Sequence, residues 1–201
     1  MRAGSNVPVH GERAVTMRAV SEIRAEARYS RAIVATADLL SRLRLEFAFV
    51  GEVARAAWLD REVDTSAIDI LAVMSPEQKN SVAMMANNRG FRVDREELAQ
   101  TEELDLIPLG FIDGEGEVRV HVLVASNALY GRMVAGAARA DFQGATVGVV
   151  TAEDLTLLLL LADDERSTRD REALTALDRF DRVAFNARLV SIGLGEQVID
   201  G

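Results

Sequence analysis

The residues best placed to do chemistry in this chain are polar groups set inside apolar runs. Asp69 interrupts the run IDILAVM over residues 68–74, whose aliphatic content predicts a buried strand. A carboxylate there needs a partner or a metal, because an isolated buried charge is strongly disfavoured. Two uses stay open: a metal or phosphate site on the sheet surface, or a strand-end aspartate bonded to an arginine or a helix N-terminus. His121 interrupts a second strand, where Val118, Val120, Val122 and Val124 alternate with Arg119, His121 and Leu123. One face of that strand is core, and the other carries the imidazole, as a ligand or as a satisfied half-buried side chain. Residues 47–50 form a short apolar strand ended by Gly51, and a helix starting there would offer free N–H groups to a phosphate. Glu52 follows the glycine, however, and a carboxylate in the first helical turn would fill that terminus and repel an anion. Thr65 and Asp64 stand just ahead of Asp69 and are candidates for the same cleft.

Other chemistry is excluded by composition. Cysteine is absent and only His10 and His121 are histidine, so thiol catalysis, disulfides, Cys-ligated metals and a His-rich zinc site are ruled out. A formal charge of −9 opposes binding to nucleic-acid backbones. Glu153 and Asp154 are accounted for as helix-capping acids. Arg166, Arg169 and Arg171 among Asp163, Asp164, Asp170 and Glu172 read as a solvated, salt-bridged turn between helices.

The elements that must position these groups follow from periodicity. Apolar residues at every third or fourth position over 20–43 predict one long helix, or two short ones broken near Tyr29 and Ser30. Ser75, Pro76 and Gln78 form an N-cap, an N1 proline and a capping-box partner, which predicts a helix over 76–89 closed by Gly90. An edge strand over 91–93, an acidic linker, a strand over 107–112, a turn at 113–116 and the His121 strand follow. A helix capped by Ser126 over 127–139, a strand over 145–150, a capped helix over 151–161 and helical spacing to Ile192 complete the chain. The fold class is therefore α/β (α+β), a mixed sheet with helices packed against it.

With 201 residues, 49% hydrophobic and 27% charged, the chain is expected to fold as one generous domain or as a domain with a helical appendage. The expected organisation is a disordered segment over 1–16, a helical arm over 17–45, a core over 46–150 and a C-terminal helical segment over 151–201. No apolar run approaches the ~18 residues of a membrane span, and the N-terminus lacks the apolar stretch of a secretory signal. A cytoplasmic protein is expected.

Taken in order, these pieces resemble the nucleotidyltransferase superfamily, in particular its bacterial abortive-infection toxin-type (AbiEii-like) branch. The matching segments are Phe49-Val50-Gly51-Glu52, Thr65-Ser66-Ala67-Ile68-Asp69-Ile70, Val120-His121-Val122-Leu123, Thr151-Ala152-Glu153-Asp154-Leu155, and Arg166 with Arg169-Asp170. The resemblance implies a nucleotidyltransferase-like mixed sheet flanked by helices, a nucleotide cradled at Gly51, Glu52 and Thr65, and metal-binding carboxylates around Asp69. It also marks departures. Glu52 stands where the family has a phosphate-facing small residue, Ala67 where it has the first metal aspartate, His121 where it has the third carboxylate, and Leu159 where it has a helix lysine. Clamping two Mg²⁺ ions needs several carboxylates, and hard Mg²⁺ prefers oxygen to imidazole.

Three functional readings result. The first is a catalytically inactive nucleotidyltransferase-fold protein that works by binding a protein or a ligand, needs no cofactor, and pairs with a partner chain or with itself. The arm and the helix around Phe185 to Ile192 are its candidate partner surfaces; a toxin- or antitoxin-like role follows from the resemblance. The second is a divergent enzyme that moves NMP from an NTP to an RNA, protein or small-molecule acceptor. It would use catalytic Asp69, with Asp69 and His121 on one Mg²⁺ or Mn²⁺ ion, helped by Glu52 or Asp64. The third, an unrelated α/β binding domain, fails if Gly51, Asp69 and His121 surround one cleft.

Overall fold

Asp69 lies within β4 (Ala67–Val73), the strand from which the sheet is built outward. This computed structural model describes residues 24–195 except 102, 103, 115, 144 and 163; the expected disorder over 1–16 lies outside the described residues. On one side β4 pairs in parallel with β7 (Gly116–Val124), setting Ala67 beside Arg119 and Asp69 beside His121. On the other it pairs antiparallel with β2 (Glu46–Phe49). Outward from β7 lie β6 (Leu106–Asp113) and the edge strand β5 (Phe91–Arg92). Outward from β2 lie β9 (Ala145–Val149) and β8 (Ala138–Phe142). The seven-stranded mixed sheet has the order β5-β6-β7-β4-β2-β9-β8, as the α/β (α+β) expectation requires.

Helices cover this sheet because the strands are apolar on their inward faces. α1 (Ala27–Arg42) buries Ile33, Leu39 and Leu40 completely. It is a single helix with no break at Tyr29 or Ser30; the irregularity falls earlier, where the short β1 (Arg24–Ala25) pairs in parallel with β3 (Glu62–Val63). α2 (Gly51–Leu59) starts directly from β2, and Trp58 near its end is buried, with its indole N–H donating to the Val150 carbonyl at 2.8 Å. α3 (Pro76–Asn87) carries both bonds of the Ser75–Gln78 capping box, and Gly90 takes a left-handed φ of 81° after its last turn.

Two stretches differ from the sequence expectation. Residues of the acidic linker form α4 (Arg95–Gln100), because the Asp94 carboxylate accepts from two amides of the first turn. The helix expected over 127–139 is α5 (Ala128–Ala135), capped by Asn127 rather than Ser126. It stops at Gly136, and Arg139 belongs to β8, where Ala138, Ala140 and Phe142 alternate inward. A five-residue strand with three inward side chains carries little periodic signal.

The chain closes with α6 (Ala152–Ala162), α7 (Glu165–Thr175) and α8 (Arg182–Ser191). The charged run taken for a solvated turn is instead most of α7, and Ser167 and Asp170 within it are buried. Among the described residues no helix is long and apolar enough to cross a membrane.

Candidate functional site

The cleft forms where β2 ends and α2 begins. Gly51 holds a φ of +54°, a left-handed geometry that favours glycine. The position also has no room for a side chain: a Cβ there would lie 2.6 Å from Oδ2 of Asp69. The tight turn thus seats α2's first residue against the carboxylate of the neighbouring strand. The other oxygen, Oδ1, lies 2.9 Å from Nδ1 of His121, the register partner of Asp69 on β7. An ionised carboxylate only accepts, so Nδ1 carries the hydrogen and donates it, and among the described residues Nε2 has no hydrogen-bond partner. Both side chains keep about a third of their surface exposed (33% and 31%), so the pair faces solvent.

From His121 the open sheet face runs outward into a polar trough lined by Arg92, Asp94, Glu97, Gly110, Glu117 and Arg119. Gly110 matters here, since the Glu117 carboxylate lies across it and accepts from Arg92 at 2.8 Å. The enclosed volume is only ≈ 30 Å³, room for about one water-sized group, so a ligand of nucleotide size would lie over the trough rather than inside it.

Gly51, Asp69 and His121 therefore lie against one another as one constellation, an arrangement the unrelated-domain reading does not expect. The remaining candidates lie apart from it. Thr65 turns its hydroxyl onto the backbone of Ala67, which it both donates to and accepts from, while its own carbonyl accepts from the Tyr29 hydroxyl at 2.7 Å. It anchors the start of β4. Asp64 is exposed on the approach to that strand. Among the described residues no group of three or more His, Asp or Glu is placed to hold a metal ion, so neither Asp64 nor Glu52 joins the Asp69–His121 pair. Ala67, two residues along the same face, contributes no donor, and Leu159 is buried in the core. One carboxylate hydrogen-bonded to an imidazole does not fit a pair of hard Mg²⁺ ions.

Glu52 requires the largest correction. The sequence places its charge at the α2 terminus, facing any incoming anion. In the fold the residue is 6% exposed and turned into a seam of arginines between α2 and α7. Arg166 donates to Oε2 at 2.8 Å, with Arg61 at 3.6 Å and Arg55 at 3.7 Å. Burial pushes the Glu52 carboxyl above its ordinary range, and Arg61, Arg166 and Arg55 oppose that rise. Asp170 completes the seam, accepting the two-pronged fork of Arg61 at 3.0 Å on each oxygen, with Arg55 at 3.4 Å. Arg55 and Arg61 were not singled out by sequence reasoning; the Glu52 to Arg55 spacing of three on a helix is the signal that could have found Arg55.

The caps on the last helices are built similarly. Thr151 accepts from the Asp154 amide at 3.2 Å, as expected of a capping residue. Asp154 itself is buried and takes Arg188 of α8 at 2.7 Å, with burial raising its pKa against the pull of Arg188 and Thr151. Glu153 accepts from the Asp181 amide at 2.7 Å at the head of α8. These acids dock helices on one another.

No protein-family model matches this chain, and no curated protein matches its sequence. Solved structures resemble it in shape. The lincomycin-bound lincosamide antibiotic adenylyltransferase LnuA superposes with a TM-score of 0.50 at 11% identity, over 73% of this chain and 96% of that one. An adenylyl-2"-tobramycin complex of ANT(2")-Ia gives 0.49 at 15%, over 83% and 94%. An antigenic nucleotidyltransferase-like protein from Paracoccidioides brasiliensis gives 0.47 at 14%, over 83% and 89%. LnuA shares the mixed sheet and flanking helices of this chain at the level of fold. The chain has a nucleotidyltransferase-like fold.

Proposed function

We propose that this nucleotidyltransferase-fold chain does not carry out two-metal nucleotidyl transfer and works by binding, through its Gly51–Asp69–His121 cleft or through a protein partner. One observation carries the reading: Asp69 is bound by His121 across the β4–β7 register while Ala67 occupies the next position on that face. A clamp for two hard cations would need carboxylates at those places. The order of motifs supports the finer assignment to the AbiEii-like branch, with a toxin- or antitoxin-like role in the bacterial cytoplasm. On this reading the chain needs no cofactor, and its partner is another protein or a second copy of itself.

A second reading is favoured by the closeness of Gly51, Asp69 and His121: a divergent enzyme holding one Mg²⁺ or Mn²⁺ ion on the last two, with NTP as donor. The test is a thermal-shift panel of the four NTPs with Mg²⁺ and with Mn²⁺, on wild type and Asp69→Ala, combined with an assay for labelled NMP transfer. Ligand at about 100 times its dissociation constant adds about 2.7 kcal/mol, which moves the midpoint of a chain this size by at least about 5 °C. The binding reading expects no metal-dependent shift abolished by Asp69→Ala and no transfer. Transfer that disappears in the variant would overturn it in favour of the enzyme.

A further inference from the structure

The arginine seam between α2 and α7 is short of acceptors. Three guanidiniums, from Arg55, Arg61 and Arg166, face Glu52 and Asp170, with the Asp164 carboxylate within electrostatic reach of Arg55. Asp170 takes the Arg61 fork at 3.0 Å on each oxygen and Arg55 at 3.4 Å. Glu52 makes one short contact, to Arg166 at 2.8 Å, and stands at 3.6–3.7 Å from the other two guanidiniums, beyond hydrogen-bonding reach. As a result the Nε–H groups of both Arg55 and Arg61 are buried without an acceptor among the described residues. Buried donors are nearly always satisfied, and an orphaned pair in one cluster marks a place where an acceptor belongs. The seam is also reachable, because the Arg166 side chain is 51% exposed.

We propose that Glu52 is a resident anion: its carboxylate partly fills an oxyanion site formed by Arg55, Arg61 and Arg166, and a diphosphate-type oxyanion competes with it for those guanidiniums. The chemistry favours such a competitor. Guanidinium forks match the spacing of phosphate oxygens, and a diphosphate brings more oxygens and more charge than one carboxylate. An ion bound there would tie α2 of the sheet domain to α7 of the C-terminal segment, so the seam would respond to polyphosphate oxyanions whether or not the Asp69–His121 cleft turns anything over.

The experiment is calorimetric titration of the full chain with inorganic pyrophosphate, without divalent cations, on wild type, Glu52→Gln and the double variant Glu52→Gln/Arg166→Met. Removing the carboxylate charge at nearly unchanged volume should tighten pyrophosphate binding at least tenfold over wild type. Adding Arg166→Met should abolish that gain, and sodium chloride should weaken it. Equal affinity in wild type and Glu52→Gln, or a gain that survives Arg166→Met, would overturn the proposal. If Glu52→Gln fails to fold, the midpoint of the wild type in pyrophosphate is compared with that in sodium chloride of equal ionic strength. A rise lost in Arg166→Met and kept in Asp69→Ala supports the seam. No rise, or a rise lost in Asp69→Ala, overturns it, the latter by placing the anion in the cleft.

Discussion

Asp69 and Glu52 both interrupt apolar elements beside the same Gly51 turn, and the fold treats them in opposite ways. Among the described residues the Asp69 carboxylate has one hydrogen-bonding partner, His121, and the side chain keeps a third of its surface in solvent. Glu52 is buried under three arginines and backed by a second carboxylate on another helix. The contrast separates two uses of a carboxylate. A charge compensated several times over and shielded from water holds elements together, since removing it strands its partners. A charge with one partner and open access is available to something outside the chain. On the readings proposed above the cleft is open to a ligand, while the seam locks the C-terminal helices to the sheet and keeps two guanidinium N–H groups for an oxyanion.

The comparison breaks most visibly at Asp170. Asp170→Ala strands two guanidiniums at a largely buried interface, and unpaired buried charges cost 3–5 kcal/mol; with Arg61 about a third exposed, about 3 kcal/mol is expected. Urea denaturation measures it, and a loss under about 1 kcal/mol would reduce the seam to a surface salt bridge. Gly51→Ala comes next. A left-handed φ costs a residue with a Cβ about 1–2 kcal/mol, and the new methyl would meet Asp69 Oδ2. Both the denaturation midpoint and the His121 ring resonances should shift, whereas unchanged resonances would mean that the turn does not position the cleft. The smallest effect is a pH slope. The folded-state pKa of Glu52 lies above its ordinary value of 4.5, so the native state holds that proton more tightly than the unfolded chain does. Stability from this group is highest below 4.5 and declines as pH rises from there through the folded value. Glu52→Gln should flatten that part of the profile of stability against pH, measured by thermal melts between pH 4 and 7, while an unchanged slope would assign it to Asp154, whose carboxyl is raised in the same direction.

Much of this was legible in the chain, and the reasons are local. The capping box at Ser75, the glycine turn at residue 51 and the alternation around His121 depend on neighbours within four residues, so their elements are where the pattern puts them. The short helix α4 and the strand β8 were hidden because each is too brief for a periodic signal. The cleft was half legible: the residue types of Asp69 and His121 flagged them individually, but only the β4–β7 register makes them a pair. Glu52 was misread because its sequence neighbours are apolar and its compensating arginines, Arg61 and Arg166, lie 9 and 114 residues further on.

By itself, then, the sequence determined the fold class, the core and the polar interruptions, since these follow from periodicity, capping and the cost of burying charge. Only the tertiary structure decided which interruption is a structural lock and which is an open site. A charge's role depends on how many opposite charges surround it and how much water reaches it, and both are set by helices and strands far apart in the chain.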